Sequence, residues 1–199
     1  MDDLHAVLNF WFGLDTDDVK TAQSQAKLWW SKSDDLDAAI RDGFANLTEQ
    51  AMQKELTGWE NTAEGRLALI ILCDQFPRNM YRNTPESFAY DAQARAYCEA
   101  GLQAQADRQL RHIQRVFFYL PLEHSESLTD QDRAVALFDA LRQEVPEGQR
   151  EPFEGFYQYA VKHRAVIQLF GRFPHRNAIL GRASTAEEVK FLSEPGSSF

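Results

Sequence analysis

The side chains best suited to chemistry crowd one acid-free stretch. From Gly155 to Ala186 there is no Asp or Glu, yet Lys162, Arg164, Arg172, Arg176 and Arg182 lie there with His163 and His175. That local +5 stands in a chain whose formal charge is −9. The chain has 15 arginines against 6 lysines. Arginine's planar fork suits partly buried, bidentate recognition of carboxylate or phosphate, whereas lysine serves as a solvated point charge. Five of these arginines sit in two similar segments. Asp74-Gln75-Phe76-Pro77-Arg78-Asn79 with Arg82 echoes Gly171-Arg172-Phe173-Pro174-His175-Arg176-Asn177 with Arg182. Two readings stand side by side. In one, Arg78, Arg82, Arg172, Arg176 and Arg182 hold a small anion where the two Phe-Pro corners meet, and Asn79 and Asn177 orient it. In the other, these arginines pair with Asp74, Asp91, Glu123 or Glu126 and pin helix ends.

A second constellation is Glu123-His124-Ser125-Glu126. A histidine beside carboxylates can be oriented for general acid–base work, so His124 with Glu123 and Glu126 forms the candidate catalytic group, and His163 and His175 are secondary candidates. Structurally, the same segment can simply turn the chain, with Ser125 or Ser127 capping the next helix. His163 shares a helix face with Tyr159, Val166, Ile167 and Phe170, which also fits a core histidine. No His-x-x-x-His or Glu-x-x-His spacing places two ligands on one helix face, so neither metal nor other cofactor is expected. Arg108, Arg111 and Arg115 fall along one side of an expected helix and read as an ion-paired stripe.

These groups must be positioned by helices, because the apolar periodicity is helical almost throughout and no alternating strand pattern occurs. The first helix follows Asp2 or Asp3 and ends at Gly13. The next leads to Trp29-Trp30, and another runs from a cap at Asp34 or Asp35 through Leu36, Ile40, Phe44, Leu47 and Ala51. Asn61 and Glu64 suggest a capping box before a helix whose segment Leu67–Cys73 is apolar on all sides, hence central. Pro77 is expected to stop it and Pro121 to interrupt another that begins near Asp107. Thr84-Pro85 starts a helix to about Gly101, Thr129 caps one through Leu141, and Pro152 opens one to Phe170 that ends at Gly171. Ser184 or Thr185 with Glu187 and Glu188 begins the last. About nine helices with short connections favour antiparallel helical hairpins in one all-α domain over 1–199, with a short flexible tail at 195–199.

With 199 residues, 44% of them apolar, the chain can bury a full core without staples. An acidic balance argues against nucleic acid and against an anionic membrane surface. No apolar run nears the ~20 residues that span a bilayer. Cys73 and Cys98 sit inside helical apolar patterns and read as reduced thiols, so a cytoplasmic location is expected.

Long strings add a family resemblance. VLNFWFG at 7–13, LIILCDQFPRNMYR at 69–82, FAYD at 88–91, FYLPLEHSE at 118–126 and FGRFPHRNAILGR at 170–182 resemble the bacterial domain-of-unknown-function family 924, grouped with tetratricopeptide-like helical folds. The resemblance implies an all-α, tetratricopeptide-like superhelix of helical hairpins and carries no established activity. Two functions remain open on the residues. One is a polar pocket that binds, and turns over, a small phosphate or carboxylate compound. The other is a non-enzymatic interaction module that grips a peptide and its terminal carboxylate.

Overall fold

The computed structural model describes residues 3–197. Expectations that fall on residues 1, 2, 198 and 199, including a cap at Asp2 and part of the tail, lie outside them. Ten α-helical segments follow in order: α1 Asp3–Phe12, α2 Asp18–Trp30, α3 Asp34–Met52, α4 Ala63–Ile70, α5 Phe76–Met80, α6 Asp91–Gln103, α7 His112–Glu123, α8 Leu128–Glu144, α9 Arg150–Phe170 and α10 Ala186–Leu192. A π-helical turn, Ile71–Gln75, joins α4 to α5 as one rod, which makes nine rods. No strand occurs among the described residues, and none of their helices is long and apolar enough to cross a membrane.

Hydrophobic burial explains the centre. Leu67 to Cys73 is fully or almost fully buried on every side, as an all-round apolar helix must be. Phe76, at the end of the same rod, joins an aromatic cluster with Phe10, Trp11 and Phe44, and Trp11 leads on to Phe117 on α7. The α8–α9 hairpin is antiparallel, since Arg142–Glu154 bridges its closed end and Arg164–Asp132 the region farther along. Cys73 and Cys98 are buried and unbridged.

Several boundaries differ from expectation, each for a local reason. Pro77 does not stop the rod. Proline lacks an amide donor and its ring crowds the carbonyl four residues back; the wide π turn just before it, with Phe76 N bonded to Ile71 O, accommodates both defects. Pro121 likewise lies inside α7, which continues to Glu123. The caps of α3 and α4 are Ser33 and Thr62 rather than Asp34 or Asp35 and Asn61, and of the caps expected for α8 it is Ser127, not Ser125 or Thr129, that serves. In each case the residue in extended backbone supplies the oxygen that accepts an orphan amide. Thr84-Pro85 opens only a 3-10 turn, Pro85–Phe88, before α6. Arg108, Arg111 and Arg115 do not share one helix face: they occupy a 3-10 turn, a cap and α7. They pair with Glu144, Asp18 and Glu144 respectively. As expected, α9 ends at Gly171, whose φ of 68° suits glycine, and Thr185 with Glu188 forms a capping box for α10.

Candidate functional site

The π turn sets the site. It places Asp74, an acid with no exposed surface, on the inner side of the central rod; such insertions of one extra residue per turn recur at functional sites. A buried carboxylate needs partners; the neighbouring Gln75 amide donates to Asp74, and two cationic or ionisable groups join it. His124, the cap residue at the end of α7, places Nδ1 2.8 and 3.0 Å from its two oxygens. Arg78, one turn farther along the rod, lies 3.2 Å away and also donates to the Asp74 carbonyl at 2.5 Å. Burial alone would keep Asp74 protonated, but Arg78 and His124 outweigh it and hold the carboxyl well below the usual carboxylate range.

His124 is pushed the other way. Burial lowers its pKa, Arg78 lowers it further, and the attraction of Asp74 only partly compensates. The imidazole is therefore neutral near pH 7. Its Nδ1 proton is assigned by the bond to ionised Asp74, which leaves Nε2 as the basic nitrogen. Glu123 and Glu126 do not flank this ring as the sequence suggests. Glu123 Oε1 lies 3.0 Å from His163 Nδ1, which also sits 2.9 Å from the Tyr159 carbonyl. Gln131, fully buried on α8, shapes the turn by donating to the Glu123 and Ser125 carbonyls at 2.6 and 2.7 Å. Ser125 is held by Asp130 and Arg95.

The two Phe-Pro segments, nearly a hundred residues apart, do meet. Arg78 forms a two-pronged bond to Asp91 at 2.9 and 3.0 Å, and Arg176 reaches the same carboxylate at 3.3 Å. Arg176 is 7% exposed. Its guanidinium carbon lies 4.6 Å from the ring centres of both Phe88 and Phe173. Its Nε has no hydrogen-bond partner among the described residues. Burial, aided by Arg78, lowers its pKa to about 10, a shift that in arginine marks a poorly compensated cation. His163 and His175 pack against Phe173, each with ring centres 5.6 Å away, and His124 lies 6.4 Å from His163. Burial and then the Arg176 charge drive the His175 pKa down to about 3.

The remaining expected ligand-binding residues are held by acids other than Asp74 and Asp91. Arg82 forms a two-pronged pair with Asp37, which also accepts from Asn79 at 2.9 Å. Arg172 pairs with Glu188 through both prongs, and Asn177 donates to the same carboxylate at 3.2 Å. Arg182 grips Glu126 at 2.7 and 2.9 Å, while Glu126 accepts from the Phe173 amide at 2.8 Å. Five guanidiniums lining one opening is thus not the arrangement found. Three are engaged two-pronged by the protein's own acids, Arg78 bridges Asp74 and Asp91, and Arg176 alone makes a single long bond.

Sequence reasoning did not assign Asp74 as the partner of His124, nor Asp91 as the hub between Arg78 and Arg176. A signal for Asp74 was present: an acid closing the most apolar run of the chain demands buried cationic company. Two depressions of the structure lie elsewhere. A cavity of about 500 Å³ is bordered by Lys54, Leu69, Gln93 and Tyr97, and one of about 170 Å³ by Asp15 and Arg111.

Residues 7–196 match the family model described as bacterial protein of unknown function, DUF924. The chain belongs to that family. A solved structure of the same shape, titled protein of unknown function ATU0120 from Agrobacterium tumefaciens, is 33% identical over 96% of both chains, with a TM-score of 0.81. No curated protein matches the chain. This DUF924 protein thus shares its all-α architecture with that solved structure.

Proposed function

We propose that this DUF924 protein binds a small anionic compound, a carboxylate or phosphate, at Arg176, and that His124 exchanges a proton with it. The observation that carries the reading is Arg176 itself. A buried guanidinium normally saturates its donors; this one has a single 3.3 Å bond to an acid already held by Arg78, and an Nε without an acceptor among the described residues. Such a cation is costly unless something else completes it. Asn177 Oδ1 and Arg182 Nε, within the same seven-residue stretch, also lack partners among the described residues, so unmet polar capacity concentrates at this corner. Orphaned buried polar atoms of this kind call for a partner from outside the chain.

The proton-transfer role rests on the Asp74–His124 pair. A neutral imidazole anchored through Nδ1 by an ionised carboxylate presents Nε2 at a fixed orientation, the arrangement that general acid–base catalysis requires. Arg78 ties this pair to the anion seat through Asp91, so both halves share one rigid network. Hydrolysis or acid–base rearrangement of the bound compound is the reaction class that asks least of these groups.

Thermal-shift screening tests the reading, because a ligand that binds only the folded state raises its melting point. A panel of small carboxylates and phosphate esters is expected to contain compounds that stabilise the wild type and fail to stabilise Arg176→Met. Stabilisation that survives Arg176→Met, or is lost equally in Arg82→Met, would place the ligand elsewhere. For turnover of a stabilising compound, His124→Gln should retain the thermal shift and lose the reaction.

A further inference from the structure

The charges around Arg176 restrict what it can hold. Two carboxylates, Asp74 and Asp91, face two guanidiniums, Arg78 and Arg176, while Glu123 is engaged by His163 and Glu126 by Arg182 at the rim. With His124 neutral, these two acids and two guanidiniums balance. An arriving anion leaves one negative charge in excess in a buried setting, where uncompensated charge is expensive. We propose that the seat takes a small monoanionic carboxylate and that its binding draws one proton from solvent onto His124. This rests on the anion-binding reading above and names its ligand class.

His124 is the proton's destination for geometric reasons. Its Nδ1 lies within 3.0 Å of both oxygens of fully buried Asp74, so an imidazolium formed there has an ion partner in place. The groups that face it are Asp74 from the π turn, Arg78 from α5, Asp91 from the start of α6 and His163 from α9. His175, on the Phe173–Arg176 corner, also feels its charge. Among these, Arg78 opposes protonation, and a carboxylate lodged beside the Arg78–Asp91–Arg176 bridge offsets that opposition. His175 cannot serve, because burial and the adjacent Arg176 hold it neutral down to about pH 3. His163 already shares Nδ1 between Glu123 and the Tyr159 carbonyl.

A dianion would need two protons for the same balance, and only one imidazole is so placed. The seat therefore favours a carboxylate over a phosphate dianion. It follows that the proton on His124 arrives with the ligand, so His124 meets the bound compound as an acid, able to protonate a leaving or carbonyl oxygen. The step is a simple transfer: Nε2–H breaks, the new O–H forms, and the imidazole returns to its neutral form.

Benzoate and sulfate serve as probes, since each keeps a constant charge of −1 or −2 between pH 5.5 and 8.5, so any pH dependence belongs to the protein. Isothermal titration calorimetry of the full chain, repeated in zwitterionic buffers of different ionisation enthalpy, counts protons taken up per ligand. The expected result is uptake approaching one per benzoate, with affinity falling up to about tenfold per pH unit on the alkaline side. Sulfate should bind more weakly at every pH. His124→Gln should abolish the uptake and His163→Gln should retain it; if His124→Gln does not fold, the wild-type count and His163→Gln still decide. Benzoate binding without proton uptake, uptake lost in His163→Gln instead, or tighter binding of sulfate overturns the inference while leaving the anion seat intact. Binding of neither anion to the wild type, or benzoate binding undiminished in Arg176→Met, overturns the seat and the inference together.

Discussion

Two arginines in matching segments should respond oppositely to the same substitution. Arg82 forms a two-pronged pair with Asp37, a residue 6% exposed whose carboxyl stays ionised because Arg82 and Asn79 outweigh its burial. Arg82→Met removes two charge-assisted bonds and strands that carboxylate with Asn79 alone. Losing one partner of a buried pair costs about 3–5 kcal/mol. Arg82 is 29% exposed, so water replaces part of the interaction and about 2–3 kcal/mol is expected. For a chain of this size that lowers Tm by about 4–12 °C. Arg176→Met removes a cation whose pKa has fallen from 12.5 to about 10. That depression means that burial and the Arg78 charge, less the attraction of Asp91, together disfavour the charged form by about 3 kcal/mol, set against about 2 kcal/mol for two aromatic contacts. Asp91 keeps its two-pronged bond to Arg78, so no acid is orphaned. Arg176→Met should leave stability unchanged or raise it by about 1 kcal/mol. Urea titration monitored by tryptophan fluorescence measures both. A loss above about 2 kcal/mol in Arg176→Met would show that this guanidinium is a structural strut like Arg82, and the reasoning that singles it out would fail.

Other consequences can be checked separately. Asp37, Asp74, Glu126, Glu144 and Glu188 all titrate below their ordinary values, Glu144 and Glu188 at about 2, each against its own arginine. Depressed carboxylates supply stability that is complete above the unfolded pKa near 4 and lost as pH falls toward the folded values; denaturation midpoints should thus be flat from pH 7 to 5 and drop steeply below 4, more gently in Asp37→Asn. A Cβ at Gly101 would stand 2.3 Å from the Phe118 ring and 2.5 Å from the Arg66 side chain, so Gly101→Ala should cost about 1–3 kcal/mol by urea titration. Burial pushes the Cys73 thiol up to about 12 and raises that of Cys98 as well, so a thiol reagent should react with neither in native buffer and with both in denaturant.

Most of the fold was legible because helical amphipathicity is a local, repeating signal. Gly171 and the Thr185–Glu188 box mark helix ends through chemistry confined to four residues. Ser33 and Thr62 are harder to choose, since each adjoins another competent cap and only the backbone angle of one residue selects between them; for α8 the chain offers Ser125, Ser127 and Thr129, and Ser127 serves. Pro77 misled because a proline's cost in a helix depends on the turn before it, and a π turn leaves no composition trace; Pro121 lies only two residues before the last residue of α7. In the site, Arg78, Arg176, His124, His163 and Glu123 were all nominated, and they do gather. What the chain could not declare was pairing. Arg82 and Arg176 look alike in their segments, yet Arg82 finds Asp37 45 positions earlier and Arg182 finds Glu126 56 positions earlier. Distances of that kind are settled by how the rods pack. For the same reason Asp74, rather than the adjacent Glu123 and Glu126, orients His124.

Locating a bound anion tests the central claim most directly. Crystals soaked in 4-bromobenzoate, with data collected at the bromine edge, should show a carboxylate within hydrogen-bond distance of Arg176 Nε and an anomalous peak beside Phe88. Bromine found only at Arg82, Arg172 or Arg182, or an Arg176 whose Nε is satisfied by another group of the chain, would contradict it.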